Sequence, residues 1–246
     1  MPPPPRILAI AGSDSSGGAG IQADIKTITM LGGYAMTAVT AQNTLGVTMV
    51  EALSPAMVAA QIDACLSDIG ADAIKVGMLG SPAIAHAVAE RLEGLAVPVV
   101  FDPVMVATSG VVLADAATVA AFERLMRVAA LTTPNVSELA ALGGRDAMAA
   151  RGIAYLAKGG DGDGPEVEDR LARPGRDDRV WRSPRIDTRH THGTGCTLSS
   201  ALATLLGKGL RLDEAIAQAR EFVRAALLAA PGFGKGHGPM GHQAVR

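Results

Sequence analysis

The chain has 246 residues, of which 48% are hydrophobic and 19% are charged, so it can bury a large core and does not have a disordered composition. Its formal net charge of −2 argues against a nucleic-acid partner, and its apolar runs are shorter than the roughly 18 residues that span a membrane. We predict no secretory leader, and the two cysteines, Cys65 and Cys196, do not form a disulfide framework. These observations predict a cytoplasmic protein without a nucleic-acid or membrane partner.

Short apolar runs that end in glycine or a polar residue predict buried strands at 6–12, 35–41, 73–77, 97–103, 130–135 and 152–160. Apolar spacing and start signals predict helices at 20–33, 55–68, from Pro82 onward, near 115–129, at 194–207 and at 213–229. Ser54 and Ser81 each precede a proline, which is typical of an N-cap followed by the first helical position. The polar stretch 162–183 predicts a surface hairpin with strands around 169–173 and 179–183.

Strands that alternate with helices, several of them continuously apolar, are typical of a mostly parallel sheet with helices on both faces. We therefore predict an α/β fold in a single domain, residues 1–246, with a disordered proline-rich lead at 1–5. In such sheets ligands bind at the carboxyl ends of the strands, so the residues that follow each strand are the functional candidates.

The loop after the first strand, 12–24, is rich in glycine and serine. Gly18, Gly20 and Ala23 match a loose dinucleotide fingerprint, but six residues separate this match from the strand, whereas the true motif begins at the strand end. Asp24 has two interpretations, an acid that favours the helix dipole or an acid aimed at the ligand cleft.

The next strand ends carry groups that could bind a flat ligand. Gln42 and Asn43 each hold a donor and an acceptor on one amide, which suits the edge of an aminopyrimidine or a similar ring, although a turn uses the same residues. Met78 could pack on the face of such a ring.

Charged residues at the later strand ends point to a nucleotide. Asp102 and Glu138 are hard oxygen donors of the kind that a magnesium–nucleotide complex needs. Glu138 lies three residues after Asn135, so it could also be the acid of a capping box. Lys158 could act as a point charge on a phosphate.

The stretch 191–200, THGTGCTLSS, allows four interpretations of Cys196. A zinc site with His190 and His192 lacks a second nearby cysteine, and a redox thiol lacks a resolving partner. A nucleophilic cysteine could use His192 as its base, but no triad pattern supports it. In the fourth, Gly193 and Gly195 allow a tight turn whose amides bind an anion at a helix N-terminus.

The anion site explains this stretch best, and the anion would be a phosphoryl group in transfer. A thiol at a helix start is expected to have a pKa below its usual value of about 8.5, so Cys196 could accept a hydroxyl proton. Phosphoryl transfer has a loose transition state, so we expect the amides to matter more than the basicity of the thiol.

The motifs AIAGSDSSGGAGIQADIKT, TAQNTLGV, KVGML, TPNVSEL, KGG, THGTGCTLSSALA and GHGP occur in this order. Over most of its length the chain thus resembles the hydroxymethylpyrimidine/phosphomethylpyrimidine kinases of thiamine biosynthesis, in the ribokinase-like superfamily. This resemblance implies a three-layer α/β fold, ATP, Mg²⁺ and a homodimer. It also implies two successive phosphorylations, first of the pyrimidine alcohol and then of its monophosphate.

Motif position assigns a role to each candidate. The resemblance implies pyrimidine contacts at Gly12, Asp24, Gln42 and Met78, a magnesium side at Asp102 and Glu138, nucleotide contacts at Asn135, Lys158 and Thr194, and catalytic groups at Lys158, Gly193, Gly195 and Cys196. Whether Cys196 is the base or only lines the anion hole is left open. The segment 105–110 resembles a flexible cover over the reacting groups.

The chain departs from the family pattern in two segments, 34–42 and 142–152, which are a few residues short. The first lies near the substrate pocket and the second near the nucleotide side. Two other functions stay open at this point: a pyridoxal-type kinase of the same superfamily and a non-catalytic pyrimidine sensor.

Overall fold

A computed structural model describes residues 3–43, 48–107 and 110–245. Its strands are β1 (Arg6–Asp14), β2 (Tyr34–Asn43), β3 (Val50–Ala52), β4 (Ala73–Val76), β5 (Val99–Phe101), β6 (Leu131–Thr132), β7 (Tyr155–Ala157), β8 (Glu166–Arg173) and β9 (Arg176–Pro184). Its helices are α1 (Gly20–Met30), α2 (Pro55–Asp68), α3 (Pro82–Leu92), α4 (Ala116–Val128), α5 (Val136–Ala141), α6 (Gly144–Ala150), α7 (Thr194–Gly207) and α8 (Leu212–Leu228). A short 3₁₀ turn, His242–Ala244, follows.

Within the described residues the strands form one nine-stranded sheet in the order β3-β2-β1-β4-β5-β6-β7-β8-β9. The pairs from β2 to β7 are parallel, whereas β3 at one edge and the β8–β9 hairpin at the other pair antiparallel. The predicted α/β fold with a mostly parallel sheet is confirmed. The hairpin is also where it was predicted, with longer strands than expected.

Side chains of β1 alternate between two separate cores. Ile7 and Ala9 pack with the residues of α1, α7 and α8, whereas Leu8 and Ile10 pack with those of α2, α3 and α4. All four side chains are completely buried. Because successive strand residues point to opposite faces, this continuous apolar strand requires helices on both faces and gives a three-layer structure.

Two helices begin as their sequences predict. The Ser54 hydroxyl accepts a hydrogen bond from the amide of Met57 at 3.2 Å, and the Ser81 hydroxyl accepts one from the amide of Ile84 at 3.2 Å. A proline occupies the first turn of each helix, where its missing N–H costs nothing.

The two segments predicted to be short have different structures. Segment 34–42 lies in β2, an unbroken ten-residue strand. Segment 142–152 contains the seven-residue helix α6, which begins after a left-handed turn at Gly143. No helix in the described part of the chain is long and apolar enough to cross a membrane.

Candidate active site

A cleft of about 670 Å³ lies at the carboxyl ends of β1, β4 and β5, against the N-terminus of α7. It collects most of the residues predicted from the sequence: Gly12, Met78, Asp102, Asn135, Glu138, Lys158, Gly193, Thr194, Gly195 and Cys196 line it. The structure thus brings together groups from widely separated strand ends, as parallel sheets do.

A cluster of one lysine and two carboxylates occupies one side of the cleft. Nζ of Lys158 lies 2.6 Å from Oδ1 of Asp102 and 3.8 Å from Oε2 of Glu138. Thr133 donates a further hydrogen bond to Oδ1 of Asp102, at 3.1 Å. Burial opposes the charge of Lys158, but the two carboxylates outweigh that effect and raise its pKa. Lys158 is therefore a permanent cation at neutral pH.

Glu138 is the acid of a capping box and also lines the cleft. Its side chain accepts a hydrogen bond from the amide of Asn135 at 2.7 Å, while the Asn135 side chain accepts one from the amide of Glu138, so the pair forms a capping box. The same carboxylate faces Lys158 in the cleft. Burial raises the pKa of Glu138 to about 6, against the opposing effect of Lys158 and with help from Asp102.

The KGG motif is explained by the neighbouring strand. A Cβ atom at Gly159 would lie 2.1 Å from the carbonyl oxygen of Glu168, so only glycine fits there. The Gly159 amide donates to Oδ1 of Asp169, whose other oxygen accepts from Arg220 at 2.7 Å. The chain after Lys158 is thus held against β8, which orients the lysine toward Asp102.

The helix start at α7 needs both of its glycines. Gly193 has a φ of 85°, and a Cβ atom there would lie 1.9 Å from the carbonyl oxygen of Gly18. A Cβ atom at Gly195 would lie 3.3 Å from both Oδ2 of Asp102 and Nζ of Lys158. The first glycine lets two loops touch, and the second lets the helix start approach the charged cluster.

Backbone amides at this helix start are available to a ligand. The amides of Gly195 and Cys196 have no hydrogen-bond acceptor among the described residues, whereas the amide of Thr197 already bonds to the carbonyl of Gly193. Unpaired amides at a helix N-terminus bind anions through their hydrogens and the helix dipole. The geometry therefore supports the anion-site interpretation of 191–200.

The expected lowering of the Cys196 pKa is wrong. Burial raises the pKa of this thiol, and the carboxylates of Asp24 and Asp102 add to the rise, against the opposing effects of Lys75 and of a hydrogen bond from the Gly20 amide. The thiol is therefore protonated at neutral pH and is a poor proton acceptor in the empty cleft.

Asp24 does not line the cleft, so its predicted contact with the pyrimidine must be corrected. Its carboxylate is completely buried and lies 2.9 Å from Nζ of Lys75, with a second hydrogen bond from Ser200 at 2.6 Å. Asp24 therefore neither interacts with the helix dipole at the surface nor contacts a ligand in the cleft, because its carboxylate forms a buried ion pair with Lys75.

Gln42 also fails to reach the cleft, because its position in β2 points it outward and leaves it exposed. The register between β1 and β2 shifts between Ala11 and Ser13, and beyond that shift it is Asn43 that lies inside. Asn43 lines the cleft beside Gly12, and its Nδ2 lies 3.3 Å from Sδ of Met78. Its Oδ1 has no partner among the described residues.

An aspartate–histidine pair in the cleft went unnoticed in the sequence. Oδ2 of Asp14 lies 2.8 Å from Nε2 of His192, and it also accepts hydrogen bonds from Ser16 and from the amide of Ala19. Burial alone would raise the pKa of Asp14, but these hydrogen bonds lower it well below its usual range. The pair joins the end of β1 to the loop before α7.

The zinc interpretation of the same loop finds no support. Among the described residues no group of three or more His, Cys, Asp or Glu side chains could hold a metal ion. His192 pairs with Asp14 rather than with Cys196.

The other end of the cleft has an apolar wall with charged side chains around it. Ile186, Val223 and Leu227 line it, next to Arg185 and Arg224. These residues come from the segment after β9 and from α8, and they carried no motif that sequence reasoning could use.

The predicted cover at 105–110 is described only in part, because residues 108 and 109 lie outside the described residues. Val106 and Val112 form an antiparallel bridge, and the amide of Ala107 bonds to the carbonyl of Val111 at 2.8 Å. Val106 and Ala107 line the cleft, so the described part of this segment borders the reacting region.

A solved structure shares this architecture over nearly its whole length. The ADP complex of Bacillus subtilis pyridoxal kinase superposes with a TM-score of 0.90 at 34% identity, covering 98% of each chain. This likeness and the cleft define the class of protein, a ribokinase-like kinase.

Sequence comparison identifies the family within that class. A model of the family "Phosphomethylpyrimidine kinase" matches residues 14–241. The hydroxymethylpyrimidine/phosphomethylpyrimidine kinase of Rhizobium meliloti is 45% identical, over 96% of each chain. A thiamine biosynthesis bifunctional protein ThiED of Geobacter sulfurreducens is 44% identical over 96% of this chain, which spans about half (52%) of that longer relative. The chain belongs to the phosphomethylpyrimidine kinase family, as its motifs predicted.

Proposed function

We propose that this protein transfers the γ-phosphoryl group of ATP to 4-amino-5-hydroxymethyl-2-methylpyrimidine and then to the resulting monophosphate, in thiamine biosynthesis. The observation that carries this proposal is the helix start at α7, whose free amides of Gly195 and Cys196 lie beside the Lys158–Asp102 pair in one cleft. A phosphoryl group in transfer needs such preorganised positive groups on its oxygens. The names of the family and of its relatives supply the substrate class.

The acceptor ring would lie at the end of the cleft bounded by Gly12, Asn43 and Met78. A Cβ atom at Gly12 would lie 3.1 Å from Sδ of Met78, so glycine leaves the space that a flat ring needs. Asn43 would offer its unpaired Oδ1 to the amino group of the ring. The nucleotide would occupy the opposite end, its adenine against the apolar wall and its phosphates toward Lys158, Asn135 and Thr194.

Two carboxylates in the cleft suit a magnesium ion that arrives with the nucleotide. Mg²⁺ in such sites is held by one or two carboxylates together with substrate phosphates and water, not by a complete protein cage. Asp102 and Glu138 are such a pair, both lining the cleft beside a cation. Bound there, the ion would neutralise charge on the transferring phosphates.

Residues of the chain would bind the transferring phosphoryl group and set when the acceptor hydroxyl loses its proton. The amides of Gly195 and Cys196 would bind the transferring phosphoryl oxygens, and Lys158 would leave Asp102 to contact the phosphate. Cys196 keeps its proton in the empty cleft because its pKa is raised. The acceptor hydroxyl would therefore lose its proton late, to an oxygen of the transferred phosphoryl group, as a loose transition state allows.

A pyridoxal-type kinase is the second candidate, because a pyridoxal kinase superposes with a TM-score of 0.90. Pyridoxal has a hydroxymethyl group on a ring of similar size but lacks the amino group that Asn43 would bind. We place it second for this reason.

We also propose that the protein acts in the cytoplasm as a homodimer. Tyr34, Val50 and Met57 are exposed apolar side chains in β2, β3 and α2, at one edge of the sheet. Light scattering of the purified protein would give the mass of a dimer, and the mass of a monomer would contradict this assembly.

The reaction is tested by following the product. Purified protein with ATP, Mg²⁺ and the pyrimidine alcohol should yield first the monophosphate and then the diphosphate, separated by ion exchange and identified by mass. Tight calorimetric binding of the pyrimidine without any phosphorylated product would favour the non-catalytic sensor instead.

A further inference from the structure

Three buried polar side chains lie close to the anion site and have no part in the proposed reaction. Nζ of Lys75 in β4 lies 2.9 Å from both carboxylate oxygens of Asp24 in α1, and Oγ of Ser200 in α7 donates to Oδ1 of Asp24 at 2.6 Å. All three residues are completely buried, and none of them lines the cleft. We call them the Lys75–Asp24–Ser200 network.

The network joins three structural elements that each supply a group to the cleft. A buried ion pair is weak support for stability, because well-packed apolar residues often serve as well or better. Here the ion pair and Ser200 together connect β4, α1 and α7. β4 leads into Met78, α1 begins at Gly20, and α7 begins with the free amides of Gly195 and Cys196.

Short distances connect the network to these cleft groups. Ser200 lies one helical turn beyond Cys196 in α7, and Asp24 lies one helical turn beyond Gly20 in α1. A Cβ atom at Gly77, the residue before Met78, would lie 2.7 Å from Nζ of Lys75. A shift of the network would therefore move two helix starts and one strand end together.

We propose that the Lys75–Asp24–Ser200 network positions the start of α7 against the start of α1 and the end of β4, and so aims the amides of Gly195 and Cys196 at the transferring phosphoryl group. These are positioning residues, since they act through α7 and do not touch the substrates. The inference rests on the proposed phosphoryl transfer for its effect on the rate.

Charge supports this placement. Burial opposes the charge of both partners. It raises the pKa of Asp24, although Lys75 and the Ser200 hydrogen bond act against that rise. Burial also opposes the charge of Lys75, but Asp24, Cys196 and Asp102 outweigh it and raise the pKa of Lys75, so the lysine stays charged. Its charge also opposes the rise in the pKa of the Cys196 thiol, and among the charged neighbours its effect is the largest. A movement of the start of α7 relative to these charges would therefore change the thiol pKa, which gives a readout that does not depend on turnover.

Two variants test the network in the full chain. Ser200→Ala removes one hydrogen bond, and the paired variant Asp24→Asn/Lys75→Met removes both charges without leaving either one unpaired. Thr204→Val is the matched control, because it removes a buried hydroxyl one turn further along α7 whose partner among the described residues is the Ser200 carbonyl in the same helix. Ser200→Thr, which keeps the hydroxyl, is the conservative rescue. Circular dichroism and Tm establish that each variant is folded.

For Ser200→Ala and the paired variant we expect kcat to fall by roughly 10- to 100-fold, the scale for misplaced reacting groups, while KM for ATP stays within about twofold. Ser200→Thr should recover most of the rate, and Thr204→Val should match the wild type. Wild-type kcat in a folded Ser200→Ala or paired variant would overturn the inference. A kcat loss in Thr204→Val equal to that in Ser200→Ala would overturn it as well.

The pH dependence of Cys196 alkylation by iodoacetamide tests the inference without a measurement of phosphorylation rate. In a Cys65→Ala background Ser200→Ala, which breaks the network without removing a charge, should shift the midpoint pH for alkylation of Cys196 away from that of the otherwise unchanged protein. An equal midpoint would overturn the network's link to the anion site. Absence of wild-type phosphorylation, in contrast, would contradict the proposed function alone.

Discussion

Nζ of Lys158 lies 2.6 Å from Oδ1 of Asp102, and Gly195 passes so close to both that a Cβ atom there would lie 3.3 Å from each. The helix start and the charged pair therefore form one unit. A side chain at Gly195 would push the helix start away from the lysine or break the pair.

The first prediction follows from this unit. Gly195→Val should reduce kcat by roughly 100-fold or more, comparable to losing an oxyanion-hole donor, while Cys196→Ala should keep turnover within about tenfold of the wild type. Steady-state kinetics of both variants, with Tm as a check of folding, measures this difference. A near-normal rate in Gly195→Val would contradict the anion site, and a collapse in Cys196→Ala would make the thiol the main base.

The second prediction concerns Glu138, whose pKa is raised to about 6 by burial. Below that pH the carboxyl is protonated and cannot help to hold Mg²⁺, so kcat/KM for ATP should fall as the pH decreases through about 6. Glu138→Gln should have a low kcat/KM for ATP at every pH and should need a higher Mg²⁺ concentration. Its kcat/KM should not show the acid-side fall near pH 6, called here the acid limb.

Glu123→Gln is the control for the second prediction, because Glu123 forms ion pairs with Arg127 and Arg151 outside the cleft. Glu123→Gln should keep both the wild-type rate and the fall in kcat/KM for ATP near pH 6. The same limb persisting in Glu138→Gln would assign the titration to another group.

The third prediction concerns recognition of the ring. The thioether of Met78 can only accept a hydrogen bond, so the Asn43 NH₂ group faces it and the amide oxygen is left for the ligand. Asn43→Ala should raise KM for the aminopyrimidine by about 10- to 100-fold, the cost of leaving a buried polar group unpaired. Gln42→Ala should leave KM unchanged, because Gln42 is exposed.

An analogue that lacks the amino group sharpens the third test. The wild type should discriminate strongly between the two pyrimidines, and Asn43→Ala should discriminate weakly. A larger effect from Gln42→Ala than from Asn43→Ala would show that β2 turns the other amide toward the substrate.

The fourth prediction concerns stability and pH. His242 is buried, and Nε2 of its ring lies 2.8 Å from Oγ1 of Thr197 in α7. Burial lowers its pKa from 6.5 to about 4, with help from Lys26. The unfolded chain thus binds more protons between these values, and the stability contributed by the neutral ring is present above pH 6.5 and is lost as the pH falls toward 4.

Tm should therefore fall between pH 7 and pH 5 by more in the wild type than in His242→Gln. A loss of about 1 kcal/mol corresponds to roughly 2–4 °C in a chain of this size. His86→Gln, in an exposed position of α3, should keep the wild-type dependence. Equal pH dependence in the wild type and in His242→Gln would contradict the assignment.

Local rules were enough to predict most of the fold. The serine–proline helix starts at Ser54 and Ser81 depend only on neighbouring residues, and the buried strands depend on continuous apolar runs. β3 was missed because its three residues are all exposed and have no apolar pattern. The strand ends that carry Asp102, Glu138 and Lys158 were predicted to meet because parallel strands end at the same edge.

The site residues that sequence reasoning missed or misplaced depend on contacts between distant segments. Asp24 is taken up by Lys75, 51 residues away, and Asp14 meets His192, 178 residues away. The direction in which the Gln42 side chain points depends on the register shift between β1 and β2. A shift of one residue reverses which side chains of a strand point inward. No local pattern in the chain contains this information.

We propose that the cleft binds an aminopyrimidine alcohol as its phosphoryl acceptor, and a comparison of substrates distinguishes this from binding of pyridoxal. ADP release should be measured with ATP and Mg²⁺ for the pyrimidine alcohol, its monophosphate and pyridoxal, over a range of concentrations of each. We predict that kcat/KM for both pyrimidines exceeds that for pyridoxal. A higher kcat/KM for pyridoxal than for either pyrimidine would contradict the claim and would identify a pyridoxal-type kinase.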